Sequence, residues 1–253
     1  MNSQQTKRIA VFASGRGSNF EALHRACAQG LIHAPGREGT VPARIVMLVC
    51  DRPGAPVAEK ARSLGVPVLE ADPHDYPSKE EYERALLERL LPECPELVCL
   101  AGYMRIVGSV LLGAFPRRIL NIHPSLLPAF PGAHAMRDAL DYGVKVFGPT
   151  VHIVDATLDG GPIVAQQAFE YTLGDPDGLE ALMHETEHRL YPKAVNIMLA
   201  RIAAAEEKML AQAESERRRR EELECEALLT MKMRGGRRRE RPAKRKNGIT
   251  NDI

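Results

Sequence analysis

The 253-residue sequence has no tryptophan and only six tyrosines and six phenylalanines. A core must therefore be filled mainly by Val, Leu, Ile and Ala, and the 44% apolar content supplies them. No run of about 18 apolar residues occurs, so no membrane-spanning helix is expected. One short apolar run near the N-terminus ends in Ser14-Gly15, too short and too glycine-bounded for a secretory signal. The cysteines (Cys27, Cys50, Cys94, Cys99, Cys225) are odd in number and include no Cys-x-x-Cys pair. A disulfide framework or structural zinc site is not expected, and a reducing, cytoplasmic setting fits. Cys50 and Cys99 sit in apolar runs and read as small core residues. Nor is there an excess of one charge, with a formal net of +1. The balance is uneven, because residues 206–253 carry 14 Lys/Arg against 10 Asp/Glu. The two parts are expected to have different jobs.

What is present up to residue 205 is an alternation of apolar runs and helical patterns. Arg8–Ala13, Ile45–Val49, Val66–Leu69, Leu97–Ala101 and Ile119–Ile122 read as buried strands. Phe20–Gln29, Ala55–Leu64 and a segment from Ser78 read as helices, the last with Ser78 and Glu81 at capping-box spacing. Pro35–Gly39 reads as a loop, Ala135–Tyr142 as a short helix, and Thr150–Val154 and Ile163–Tyr171 as a later pair of strands. A helical pattern runs from Pro176 to about Ala205. This predicts an α/β fold with a doubly wound, mostly parallel sheet flanked by helices. From Glu206 the pattern stays helical but is charged, and Gly235-Gly236 is expected to end it. The expected organisation is a catalytic domain over 1–205, a charged helical extension over 206–234, and a basic disordered tail over 235–253.

Three segments can carry chemistry. Ser14-Gly15-Arg16-Gly17-Ser18-Asn19 joins the first strand to the first helix. Small residues there allow close backbone approach, and helix-start N–H groups favour an anion such as phosphate. It is neither a Walker motif nor the dinucleotide fingerprint, and by itself it is equally a tight turn before a capped helix. Asn121 and His123 are two apart on a strand and so face the same side. An amide can donate to a developing oxyanion, and an imidazole moves protons near neutral pH. A stiff loop follows them, with Pro124, Pro128 and Pro131. Asp159, in Leu158-Asp159-Gly160-Gly161-Pro162, is either a simple turn residue or a carboxylate that reaches His123 and favours its imidazolium form. His134 and His152 read as loop or strand residues as readily as functional ones. His184-Glu185-Thr186-Glu187-His188 matches His-Glu-x-x-His literally, but no third ligand is evident, so zinc is not expected.

In their order and spacing these segments resemble the phosphoribosylglycinamide formyltransferase family over roughly residues 7–202. The match also takes in Leu100-Ala101-Gly102-Tyr103-Met104-Arg105-Ile106, Asn121 through Pro128, Phe130-Pro131-Gly132, and Glu187-His188 before Tyr191-Pro192. The resemblance implies a Rossmann-like formyltransferase fold and transfer of a formyl group from 10-formyltetrahydrofolate to the amine of N1-(5-phosphoribosyl)glycinamide, in purine (IMP) biosynthesis, with no metal. It implies Asn121, His123 and Asp159 as the catalytic group. It also implies that Gly17, Ser18, Asn19, His184, Glu185, Thr186 and Glu187 hold the ribonucleotide. Folate would be held by Lys79, Met104, Arg105, Ile106, Val107, Asn121, Asp155, Ala156, Thr157, Leu158 and Asp159. Lys79 stands where the family often has arginine, and Met136 where histidine is frequent. The neighbouring readings are formyltetrahydrofolate deformylase, which normally adds an N-terminal domain for which no room is expected here, and methionyl-tRNA formyltransferase, which usually adds a C-terminal β domain. The tail reads as a solvated basic segment, with nucleic-acid binding as its second reading.

Overall fold

Side chains along the first strand alternate between two apolar layers. In the computed structural model, which describes residues 6–36, 39–172 and 175–236, this strand is β1 (Lys7–Ala13). Ile9, Val11 and Ala13 face one layer, and Ala10 and Phe12 the other. Both faces of the sheet are thus covered, which is why the strand reads as continuously apolar. The chain continues through α1 (Ser18–Ala28), β2 (His33–Gly36), β3 (Gly39–Cys50), α2 (Pro56–Ser63), β4 (Val68–Glu70), α3 (Lys79–Leu90), β5 (Leu97–Leu100) and α4 (Ser109–Ala114). It then runs through β6 (Ile119–His123), α5 (Ala135–Tyr142), β7 (Val146–Phe147), β8 (Thr150–Ile153), β9 (Ile163–Gln166), β10 (Phe169–Glu170) and α6 (Pro176–Gly236).

The main sheet has the order β2-β3-β1-β5-β6-β8-β9, with β4 also paired to β3. The pairs β1/β3, β3/β4, β1/β5 and β5/β6 are parallel, and β2/β3, β6/β8 and β8/β9 are antiparallel. One face packs on Phe20 and Leu23 of α1, Val57 and Ala61 of α2, and Leu190–Ile202 of α6. The other packs on Tyr82, Leu86 and Leu90 of α3 and Leu111 of α4. Tyr191, fully buried on α6, donates to the carbonyls of Leu100 and Leu120 at 2.9 and 3.3 Å and so ties the helix to β5 and β6. A third cluster gathers Ala139, Phe147, Tyr171, Leu179 and Met183, with Phe130 and Met136 against it.

Some expectations change. Pro35–Gly39 is not simply a loop, because His33–Gly36 and Gly39–Pro42 pair as an antiparallel hairpin, with 37–38 outside the described residues. Pro35 and Pro42 suggest a loop by type, yet they sit in edge pairing, where proline is tolerated. Ile163–Tyr171 is not one strand. It divides into β9, in the main sheet, and β10, which pairs with β7. The partner chain breaks there too: at Gly148 an added Cβ would lie 2.0 Å from the Gln167 carbonyl oxygen. α4 was not anticipated. Helix α6 spans Pro176–Gly236, and the tail from 237 lies outside the described residues. The chain divides into two compact units, Met1–Ala203 and Ala204–Ile253. In the second unit Met209, Leu210, Leu223 and Met231 are exposed, and Arg217 pairs with Glu221 at 3.7 Å. Among the described residues no helix is long and apolar enough to cross a membrane.

Candidate active site

Strands β1, β5 and β6 run parallel side by side, so their C-terminal ends share one edge of the sheet. In open α/β sheets this edge is where ligands bind. The loop 14–17 leaves β1 there, the loop 101–108 leaves β5, and Asn121 and His123 end β6.

Antiparallel register sets Asn121 opposite His152 of β8. Asn121 Nδ2 and His152 Nε2 are 3.2 Å apart, and His152 Nδ1 lies 3.2 Å from the Ile153 carbonyl oxygen. A carbonyl only accepts, so Nδ1 carries the proton, Nε2 is the acceptor, and the amide NH2 of Asn121 must donate to it. Burial holds His152 below the ordinary imidazole value, which keeps the ring neutral for this role. One N–H of Asn121 remains to meet an oxygen of a ligand.

His123 is buried, and its Nε2 donates to the Phe130 carbonyl at 3.0 Å. Its Nδ1 faces Asp159 Oδ2 at 3.6 Å, within ion-pair range but longer than a hydrogen bond. Asp159 also approaches His152 Nε2 at 3.7 Å and accepts from the Gly132 N–H at 2.9 Å. The carboxylate thus sits between two imidazoles and ties its own turn to the proline-rich loop. Asp159 has a φ of 49°, in the left-handed region that residues other than glycine seldom enter. Gly161 must be glycine, because a Cβ there would lie 1.8 Å from the Ile153 carbonyl oxygen.

The proline-rich loop is braced from β8 and β9. Thr150 Oγ1 donates to the Ser125 carbonyl at 2.7 Å and accepts from Leu127 N at 3.0 Å and Gln166 Nε2 at 2.8 Å. Ser125 Oγ donates to the carbonyl of Ala129 at 2.7 Å. The Leu127–Pro128 peptide is cis.

At the start of α1, Gly17 is the N-cap with φ 79°, and a Cβ there would meet Val57 Cγ2 at 2.5 Å. Ser18 and Asn19 open the helix, so its first N–H groups face the end of the sheet's ligand edge. Asn19 Nδ2 donates to Glu187 Oε2 at 2.9 Å, and its buried Oδ1 has no partner. Glu187 is 4% exposed and also accepts from His184 Nδ1 at 3.1 Å. That bond holds His184 above the ordinary imidazole value. Asn19, His184 and Glu187 therefore come together. Glu185 does not join them: it lies on the exposed side of α6, 3.2 Å from Arg189. Thr186 is buried and its hydroxyl returns to the Leu182 carbonyl at 2.8 Å, a bond internal to the helix. On a helix, positions one and two residues from Glu187 do not share its face, and both side chains turn away. His184 and His188 stack with ring centroids 6.2 Å apart, and burial pushes His188 below the ordinary imidazole value. Among the described residues no group of three or more His, Cys, Asp or Glu is placed to hold a metal.

Of the residues expected to line a folate pocket, Met104 and Ile106 are 68% and 71% exposed, and Val107 is buried in the core. Arg105 Nε donates to Asp51 Oδ2 at 3.1 Å. Lys79 is exposed at the start of α3. Asp155 accepts from the backbone and hydroxyl of Thr157 at 2.8 and 2.5 Å, and these bonds hold it below the usual carboxylate range. Ala156 and Leu158 are exposed on the same turn. Sequence reasoning left out the part played by His152, whose pairing with Asn121 depends on antiparallel register 31 residues away. It also left out Asp51, Glu83 and the Phe130 carbonyl. The apolar alternation of Thr150–Val154 after β6 was the one available signal for His152.

The formyl transferase family model matches residues 7–195. The chain is 44% identical over 194 residues to a phosphoribosylglycinamide formyltransferase of Bacillus subtilis, covering 76% of this chain and 95% of that protein. A phosphoribosylglycinamide formyltransferase of Mycobacterium tuberculosis is 43% identical over 192 residues, covering 74% and 83%. The crystal structure of glycinamide ribonucleotide transformylase 1 from Geobacillus kaustophilus superposes with a TM-score of 0.72 at 45% identity, covering 78% of this chain and 100% of that one. Fold, site and likeness agree: the chain belongs to the formyl transferase family, among its phosphoribosylglycinamide formyltransferases.

Proposed function

We propose that this chain moves the formyl group of 10-formyltetrahydrofolate onto the amine of N1-(5-phosphoribosyl)glycinamide in purine biosynthesis in the cytoplasm. The observation that supports this most is the content of one sheet edge. It carries an amide–imidazole–carboxylate group at Asn121, His123 and Asp159, and a small-residue loop at the N-terminus of α1. The loop suits the phosphate of a ribonucleotide. Glu187, bridged to Asn19 and His184, suits its amide and amine. Folate would lie along Met104–Val107 and Asp155–Asp159, with Lys79 toward its acidic end.

The substrate amine is the nucleophile, so the protein need not supply one. It attacks the formyl carbon and a tetrahedral intermediate forms. The free N–H of Asn121 donates to the oxyanion. Nδ1 of His123, the ring nitrogen without a hydrogen bond, is the one able to pass a proton to the departing folate nitrogen as the C–N bond to folate breaks, and the proton that the attacking amine gives up returns the ring to its charged form. Asp159 stabilises the charged ring during that transfer. The 3.6 Å gap suits a site that tightens when occupied. Holding both substrates at one edge can supply up to about 7–11 kcal/mol of the barrier reduction.

The test is to incubate the chain with 10-formyltetrahydrofolate, with and without the ribonucleotide. We expect folate release that requires the amine and yields one formylated product per folate. Release at the same rate without the amine would show a deformylase instead.

A further inference from the structure

In the segment Met104–Val107 the side chains of Met104, Arg105 and Ile106 are exposed and Val107 is buried, and the backbone is fastened from outside. At its start, Ser14 Oγ accepts from Met104 N at 2.9 Å, and Asp51 takes the Arg105 guanidinium. Its far end is Gly108, and there the fastening comes from α3. Glu83 Oε1 accepts from Gly108 N at 2.5 Å, and Oε2 accepts from Leu111 N at 3.2 Å. Glu83 is only 2% exposed. A buried carboxylate is costly unless its oxygens are satisfied, and here the first-turn N–H groups of α4 satisfy them. Glu83 therefore fixes where the loop ends and α4 begins.

Gly108 is fitted to this contact. A Cβ there would lie 2.7 and 2.8 Å from the two Glu83 oxygens and 2.8 Å from Lys79 Cε. Its φ is −98°, which alanine can adopt, so the constraint is the contact and not the backbone. Lys79 and Glu83 are four residues apart and share one face of α3. One helix face thus carries both a cation beside the loop and the carboxylate that holds it.

From this geometry we propose that Glu83 is a positioning residue for the formyl donor. It keeps Met104–Val107 in the shape that receives folate, with Lys79 alongside, and touches neither substrate. The proposal rests on the formyl-transfer reading above. With glutamine in place of Glu83, one acceptor oxygen is lost and an NH2 group opposes a backbone N–H. The loop then spends part of its time in other shapes, and the apparent affinity for the donor falls by the fraction lost. The ribonucleotide, assigned to Gly17–Asn19 and Glu187, is held elsewhere and is unaffected.

The experiment is steady-state kinetics on the full chain with both substrates varied, for wild type, Glu83→Gln and Gly108→Ala. Leaving a buried donor unpaired corresponds to roughly a tenfold rise in the KM for 10-formyltetrahydrofolate in Glu83→Gln. The KM for the ribonucleotide and kcat stay near wild type. Gly108→Ala presses on the same contact from the other side and raises the same KM, with the carboxylate intact. If Glu83→Gln does not fold, Gly108→Ala decides alone. An unchanged folate KM in a folded variant, or an equal rise in both KM values, overturns the proposal. Absence of amine-dependent transfer in wild type would instead overturn the reading beneath it, and is seen before any substitution is made.

Discussion

Asn121 has two amide hydrogens, and His152 accepts one of them. The ring, kept neutral by burial, is what directs the other toward a ligand. Asn121→Ala should therefore lower kcat by about 10²–10³, the usual cost of removing one oxyanion donor, with a smaller effect on either KM. His152→Ala leaves Asn121 in place but free to rotate, and a loss of about tenfold in kcat is expected from one missing buried hydrogen bond. Equal kcat in wild type and His152→Ala would show that the pairing does not orient the amide. Gly161 provides a steric test of the same network. Its missing Cβ leaves room for the Ile153 carbonyl, which also receives the His152 Nδ1 proton. Gly161→Ala should displace the Asp159 turn and destabilise the fold by about 1–3 kcal/mol, measurable by urea unfolding. Wild-type stability together with wild-type kcat would mean that the turn can move without consequence.

Elements differ in how openly the sequence declares them. β1, β5 and β6 are visible because both sheet faces are covered, so Ile9–Ala13 and Leu97–Leu100 are unbroken apolar runs and Ile119–Ile122 is apolar but for Asn121. Asn121 and His123 were legible for a local reason, their spacing on a strand. Asp159 was legible from its glycines. The pairing of Asn121 with His152 was not, since it depends on the register of β6 against β8. Helix α4 was hidden because its N-terminus is capped by Glu83 of another helix and not by a residue of its own. Along α6 the structure separates the residues of the His184–Glu187 expectation. Glu187 faces Asn19, while Glu185 and Thr186 turn elsewhere. The same helix gives a pH-dependent prediction. The Glu187 bond raises His184, so the pair adds stability that is fully present below the unfolded imidazole value of about 6.5 and is lost as pH rises through the folded value. The His184 side chain is 41% exposed, so screening limits this to less than about 1 kcal/mol. His152 and His188 are shifted the opposite way, so the effect shows in the difference between wild type and His184→Gln. Urea midpoints should favour wild type more at acidic than at alkaline pH; a constant difference would remove the pair as the cause.

On the scale of the whole molecule, every residue assigned to chemistry lies in the unit Met1–Ala203. Burial along α6 points the same way. Leu190, Tyr191, Val195, Leu199 and Ile202 fill the core beneath the sheet, whereas Met209, Leu210 and Leu223 are exposed. Hydrophobic stabilisation follows apolar area removed from water, and the α6 side chains in this core cluster run from Leu190 to Ile202. A helix cut after its last packed turn frays at the new end but keeps its inner turns, since packing and not length holds them. We therefore expect a chain ending at Ala205 to keep kcat, both KM values and the thermal midpoint of the catalytic unit. A fall in kcat on truncation would show that residues 206–253 act in catalysis. A fall in the midpoint with kcat retained would assign them a stabilising role. The charge asymmetry of the sequence makes this the informative cut: it removes 14 Lys/Arg and 10 Asp/Glu at once while leaving Asn121, His123 and Asp159 untouched.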